Sequence, residues 1–149
     1  MPGKRPQLVL LDPDGTVGRH LADTAAEHRW LVRPAKTLAA AREWAIDRRP
    51  TVAFLTFSPA DPAAVELVAD LHRAAPDTAV VAVSDEKLTE PDRAAWTAVL
   101  MDLGARYVLF PPLTKPVLED LASGLMPGAA PGPAAPGDEV LDLADEDDE

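Results

Sequence analysis

The sequence predicts a doubly wound α/β domain over residues 1–126, with five parallel strands and a helix after each. Three observations carry that prediction. Short apolar runs alternate with helix-length segments, the order that a parallel sheet with crossover helices requires. Three of the runs, "QLVLL", "TVAFLT" and "TAVVAV", are nearly continuous in apolar residues, as strands covered on both faces are. A chain of 149 residues, 47% of them hydrophobic, is long enough for one sizeable core and too short for two ordinary domains.

The first strand is "QLVLL", residues 7–11, and the "PDGT" that follows is turn chemistry opening a helix. Val17, Leu21 and Thr24 to Ala25 form its one-sided stripe, and His28 ends it, where a cation suits the helix dipole. "RWLV", residues 29–32, is the second strand; Trp30 and Arg33 beside it suggest no role. Leu38, Ala41 and Ala45 mark the second helix, with Trp44 beside the stripe and Arg48 and Arg49 at the dipole's negative end. Pro50 precedes the third strand, "TVAFLT", residues 51–56. The third helix opens at Pro62, shows Val65, Val68 and Leu71 on one face, and has stopped by Pro76. "TAVVAV", residues 78–83, is the fourth strand. Pro91 lies in the first turn of the fourth helix, which carries Trp96, Val99, Leu100 and Leu103 and ends at Gly104. The fifth strand is "RYVLF", residues 106–110, and Thr114 is placed to cap a last helix, "KPVLEDLASGLM", with Pro116 in its first turn.

After Met126 the composition changes. Residues 127–137, "PGAAPGPAAPG", read as a semi-extended linker that cannot bury enough surface to offset its ordering entropy. Residues 138–149 hold eight acids and no base, so eight of the eleven net negative charges lie there. Val140, Leu141 and Leu143 among those acids suit a recognition peptide for a basic, apolar groove, or a solvated tail. The rest is nearly balanced and lacks the clustered Lys and Arg of a nucleic-acid surface, so no nucleic-acid partner is expected. No apolar run reaches the roughly 20 residues that span a bilayer. "MPGKRPQ" leads straight into a strand pattern without a signal-peptide core, so a cytoplasmic location away from membranes is expected. The absence of cysteine excludes disulfides, thiolate metal sites and a thiol nucleophile, and three scattered histidines make no metal cluster.

"LLDPDGTV", residues 10–17, carries the chemistry that is legible. Asp-x-Asp-Gly-Thr-Val after an apolar strand resembles the first motif of haloacid-dehalogenase-like phosphatases, in which the first Asp attacks phosphorus and the second handles the leaving-group proton. On that reading Asp12 and Asp14 take those roles, Thr56 or Ser84 the hydroxyl position and Lys87 the basic one. The metal-binding acids that such an enzyme needs after a later strand are missing, because the last strand runs into Pro111 and Pro112.

The same stretch, followed by "RPTVAFLTFSPADPAAVELVADLH", "PDTAVVAVS" and "LGARYVLFPPLTKPVLEDL", resembles the CheY-like receiver domain of bacterial response regulators over residues 6–125. The resemblance implies a flavodoxin-like sheet of order 2-1-3-4-5. It also implies five functional positions at the carboxyl ends of the strands: two Mg²⁺-binding acids, an acceptor Asp, a Ser or Thr, and a Lys before a usually cis proline. Asp12 and Ser84 match. The second acid falls on Pro13, with Asp14 a poor substitute past the strand end; the acceptor falls on Thr56 and the Lys on Pro111, with Pro112 in the cis-proline place. A neutral hydroxyl cannot replace the anionic acceptor without a base, and a hard dication is left one certain oxygen donor. The expectation is therefore a pseudo-receiver with no catalytic residue, no metal and no cofactor. It would bind proteins independently of phosphorylation, in bacterial signalling or in regulatory or cell-polarity scaffolding. A ligand-sensing receiver, holding a neutral molecule near Asp12, Thr56 and Ser84, is a further alternative. By the resemblance, partners or a second copy of the chain would meet the surface of helix four, strand five and helix five. Arg93, Trp96, Tyr107, Val108 and Glu119 lie there, with Val140, Leu141 and Leu143 as a second contact.

Overall fold

The computed structural model describes residues 5–126, so the Pro/Ala/Gly stretch and the acidic tail, with Val140, Leu141 and Leu143, lie outside the described residues. Five strands alternate with five helices: β1 (Gln7–Leu11), α1 (Thr16–His28), β2 (Leu31–Ala35), α2 (Leu38–Ala45), β3 (Thr51–Phe57), α3 (Ala63–Ala74), β4 (Ala79–Ser84), α4 (Glu90–Asp102), β5 (Tyr107–Leu109) and α5 (Lys115–Leu125). All strand pairs are parallel, and the sheet order is β2-β1-β3-β4-β5, the flavodoxin-like arrangement.

The continuous apolar strands resolve into two faces, because successive side chains point to opposite sides of a pleated sheet. Val9, Ala53, Leu55, Phe57, Val80 and Ala82 pack with α2, α3 and Leu100 of α4. Leu8, Leu10, Val52, Phe54, Val81 and Val83 pack with Val17 and Leu21 of α1 and Leu118 and Ala122 of α5. Polar ties join the layers at their edges. The Gln7 side-chain amide donates to the Trp44 carbonyl at 2.7 Å and to Thr51 Oγ1 at 3.0 Å. Arg42 pairs with Asp70 between α2 and α3, and Lys115 with Asp23 between α5 and α1 at 2.8 Å. That last bond holds the exposed Asp23 carboxyl below the usual carboxylate range and raises the Lys115 ammonium.

The structure corrects several boundaries. The second strand starts at Leu31 rather than Arg29, because Arg29 and Trp30 close α1 instead. Arg29 is left-handed (φ 59), its N–H bonds the Ala26 carbonyl, and the Trp30 N–H reaches the Ala25 carbonyl at 2.9 Å. This two-bond helix stop normally carries an apolar residue in its last position, which gives Trp30 its role: it is buried and stacks on the His28 ring at 4.6 Å. Arg33 lies over the Trp44 ring, its guanidinium carbon 5.5 Å from the centroid. Pro34 falls inside β2, where an edge strand tolerates its missing donor. In α3 the buried positions are Ala64, Leu67, Val68 and Leu71, with Val65 half-buried; in α4 only Leu100 is buried, and Val99 is exposed. Thr37 caps α2 by accepting from the Ala40 N–H at 3.0 Å, whereas Thr114 stands at the cap of α5 without a side-chain bond.

Candidate functional site

In a 2-1-3-4-5 sheet the crossovers from β1 run to opposite sides, and the crevice left at the carboxyl ends of β1 and β3 is where such folds bind ligands. Here it is a cavity of about 460 Å³. The carboxyl ends of β3 and β4 bring Thr56 and Ser84 to its lining, and the loops after β1 and β5 bring Asp12, Pro13, Asp14 and Pro111, so residues up to about 100 positions apart in sequence meet at one place. Pro112 follows directly, and its peptide bond with Pro111 is cis.

Each polar group has a local explanation. Asp12 ends β1 with its carboxylate turned back onto α1, where Oδ2 accepts from the Gly18 N–H at 2.9 Å. Asp14 Oδ1 accepts from the Thr16 N–H at 3.0 Å, and Gly15 between them takes φ 75, a conformation that favours glycine. Both acids thus serve the unpaired first-turn N–H groups of α1. The Thr16 N–H, followed by the Thr16 hydroxyl, Asp12 and Arg19, holds the Asp14 carboxyl below the usual carboxylate range. Ser84 is 2% exposed; its hydroxyl donates to the Glu86 carbonyl at 2.7 Å and accepts from the Glu86 N–H at 3.2 Å. Thr56 is half-buried opposite Val83 in the β3–β4 register.

Two acids that sequence reasoning missed complete the rim. Asp61 follows β3 and accepts from the Ala63 N–H at 3.0 Å, while Asp85 follows β4 with its N–H on the Phe57 carbonyl at 3.0 Å. Their signal was available, since "SPADP" and "SDEK" begin where strands end. Apolar side chains form the walls, among them Leu11, Val17, Phe57, Val83 and Leu113. No Lys, Arg or His among the described residues lines the cavity, and Lys87 is not part of the lining. Among the described residues no group of three His, Cys, Asp or Glu is disposed to hold a metal ion. The Mg²⁺ implied by the family resemblance therefore does not fit: its second acid is Pro13, its acceptor Thr56, and one oxygen of Asp12 is taken up by the Gly18 N–H.

If Asp12 acts as a cap, Asp12→Ala should lower stability by about 1 kcal/mol, whereas Asp12→Asn, which keeps an acceptor oxygen, should change it by only about a few tenths. Urea unfolding of the two variants measures the difference.

The proposed partner residues are dispersed. Arg93 and Tyr107 line a groove between α4 and β5 with Met101, Thr97, Val108 and Phe110. Arg93 also pairs with Glu90 at 2.7 Å, and Val108 is largely buried. Trp96 is half-buried with its ring 5.6 Å from that of Phe57. Glu119 faces α1, where Oε2 accepts from the Thr24 hydroxyl at 2.7 Å, so its carboxylate is engaged within the fold.

No family model matches this chain, and no curated protein does. Solved structures do match. A CheY-like response regulator receiver domain protein from Methanospirillum hungatei superposes with a TM-score of 0.59 at 16% identity, over 82% of this chain and 94% of the other. A response regulator from Burkholderia multivorans gives a TM-score of 0.62 at 24% identity, over 85% and 98%. One from Burkholderia pseudomallei, solved with a phosphorylated aspartic acid, calcium ion and citrate, gives 0.58 at 19%, over 85% and 69%. The chain has the receiver fold. No helix of the described residues is long and apolar enough to cross a membrane.

Proposed function

We propose that this chain is a pseudo-receiver, a receiver fold that engages protein partners without accepting a phosphoryl group and without enzymatic activity. One observation carries the reading: Thr56 stands where the acceptor Asp would, in a pocket lined by no basic residue among the described residues. A phosphoryl group arriving there would find a neutral hydroxyl at the acceptor position, and among the described residues no group of acids disposed to hold a metal and no lining cation to take up its charge. The B. pseudomallei regulator carries a phosphorylated aspartate, and the groups such a site uses are absent or engaged elsewhere in this chain. The same features count against the phosphatase alternative, since Asp12 and Asp14 accept from N–H groups of α1 and Lys87 is not among the lining residues.

The partner surface we favour is the α4–β5 groove and its flanks, for a protein partner or a second copy of the chain. Of the six large apolar side chains exposed among the described residues, four (Val99, Met101, Tyr107 and Val117) lie on α4, β5 and α5. Met101 and Tyr107, 48% and 47% exposed, share the groove. β5 is an edge strand of only three residues, so the face depends on side chains more than on strand pairing. The acidic tail would add a second contact at raised effective concentration.

Met101→Asp with Tyr107→Asp should reduce partner retention in a pull-down, or self-association in sedimentation, by at least about tenfold. The melting transition should be unchanged, and wild-type retention should be the same with or without acetyl phosphate. Retention that survives the double variant, or that requires acetyl phosphate, contradicts the reading.

A further inference from the structure

We propose that the cavity at the carboxyl ends of β1, β3 and β4 binds a small amphipathic organic cation, a protonated amine carried on an apolar body. Its volume, about 460 Å³, is that of a small-molecule site rather than of a single water or ion. Its walls are largely apolar, with the half-buried Leu11, Leu38 and Leu113 among the lining residues able to contact a hydrocarbon. Its charged groups are of one sign: Asp12, Asp14, Asp61 and Asp85 reach the lining, and among the described residues no Lys, Arg or His does. Arg19, exposed and donating to the Asp14 carbonyl and the Thr16 hydroxyl, acts on the Asp14 carboxylate from outside the lining.

The arrangement of those acids selects among cations. Asp12, Asp14 and Asp61 are each oriented by one backbone N–H, and Asp61 and Asp85 have no ion-pair partner among the described residues. They do not converge into a group of three that could hold a metal. A dication that needs several oxygens at one point gains little from carboxylates spread around a rim, whereas an ammonium on a bulky apolar body gains from both the walls and the field. An anion is repelled, and a neutral molecule leaves the field unused. Occupancy is also reported outward, because Phe57 forms part of the wall and its ring packs against Trp96 of α4.

The inference rests on the pocket not serving phosphoryl transfer, and the two fail separately: a phospho-adduct removes that reading, whereas the following titration tests the ligand class. ¹⁵N-labelled full-length protein is titrated with phenethylamine, 2-phenylethanol and phenylacetate, which share an apolar body and differ in charge, and with MgCl₂ at matched ionic strength. Phenethylamine should shift the backbone amides of the lining and the Trp96 indole resonance, leaving the Trp44 indole unmoved. It should bind about tenfold more tightly than the alcohol, with no response to phenylacetate. Asp61→Asn with Asp85→Asn should bring the amine down to the alcohol's affinity. Equal binding of amine and alcohol, binding of phenylacetate, an MgCl₂ response as large as the amine's at the same amides, or no response to any probe overturns the proposal.

Discussion

The triple variant Pro13→Asp, Thr56→Asp, Pro111→Lys should take a phosphoryl group from acetyl phosphate in the presence of Mg²⁺ at least about a hundredfold faster than the native chain. Thr56 occupies β3 at the mouth of the cavity, in register with Val83, so an Asp there projects from the same backbone site into the same space. Alone it supplies only the nucleophile. Pro13→Asp adds a second oxygen donor beside Asp12, and Pro111→Lys returns a cation to a lining that has none. The single variants should therefore remain close to the native rate. The time course of intact mass for the single and triple variants checks this. A folded triple variant that stays unlabelled would show that the Asp12 cap on Gly18 also blocks the chemistry.

Gly104→Ala should lower the unfolding free energy by about 3 kcal/mol, measured by urea denaturation. Gly104 ends the turn from α4 to β5 at φ 119, where a side chain is strained. A Cβ built there lies 2.5 Å from His72 Cγ and 2.6 Å from His72 Cβ. Backbone of α3 or of the turn must shift to relieve the overlap. Trimming His72 to Ala should recover only part of the loss, because its own Cβ remains in the way. Gly124→Ala, with nothing within 4 Å of the added carbon and an ordinary helical backbone, is the control and should change stability by less than about 1 kcal/mol, in the stabilising direction.

The legible parts of the fold were those in which burial alone decides. "QLVLL" is β1 to the residue, and "TVAFLT" and "TAVVAV" differ from β3 and β4 by one residue at their ends, because strands covered on both faces leave no polar ambiguity. β2 starts two residues and ends three residues later than the sequence pattern placed it, for a specific reason. Its edge position gives it a mixed pattern, and α1 stops on a left-handed Arg29 rather than on a glycine, so no residue type announced the boundary. Thr114 illustrates the reverse case: the residue type marked the cap position correctly although its hydroxyl makes no capping bond.

The site was legible in identity and not in role. Asp12 and Asp14 could be seen, but an Asp that attacks phosphorus and one that caps a helix leave the same letters before a Gly, and the bonds to Gly18 and Thr16 appear only in the fold. Asp61 and Asp85 went unnoticed because neither lies in a motif; the parallel topology alone brings the loops after β3 and β4 to one rim. Glu119, taken as a surface residue from its helical position, turned out to bridge α5 to Thr24 of α1, a contact 95 residues apart in sequence that no local pattern encodes.

The most direct test of the account is incubation of the native full-length protein with acetyl phosphate and Mg²⁺, read by intact mass. The account predicts an unchanged mass. A stoichiometric phospho-adduct, on Thr56 or on any acid of the cavity, would contradict it.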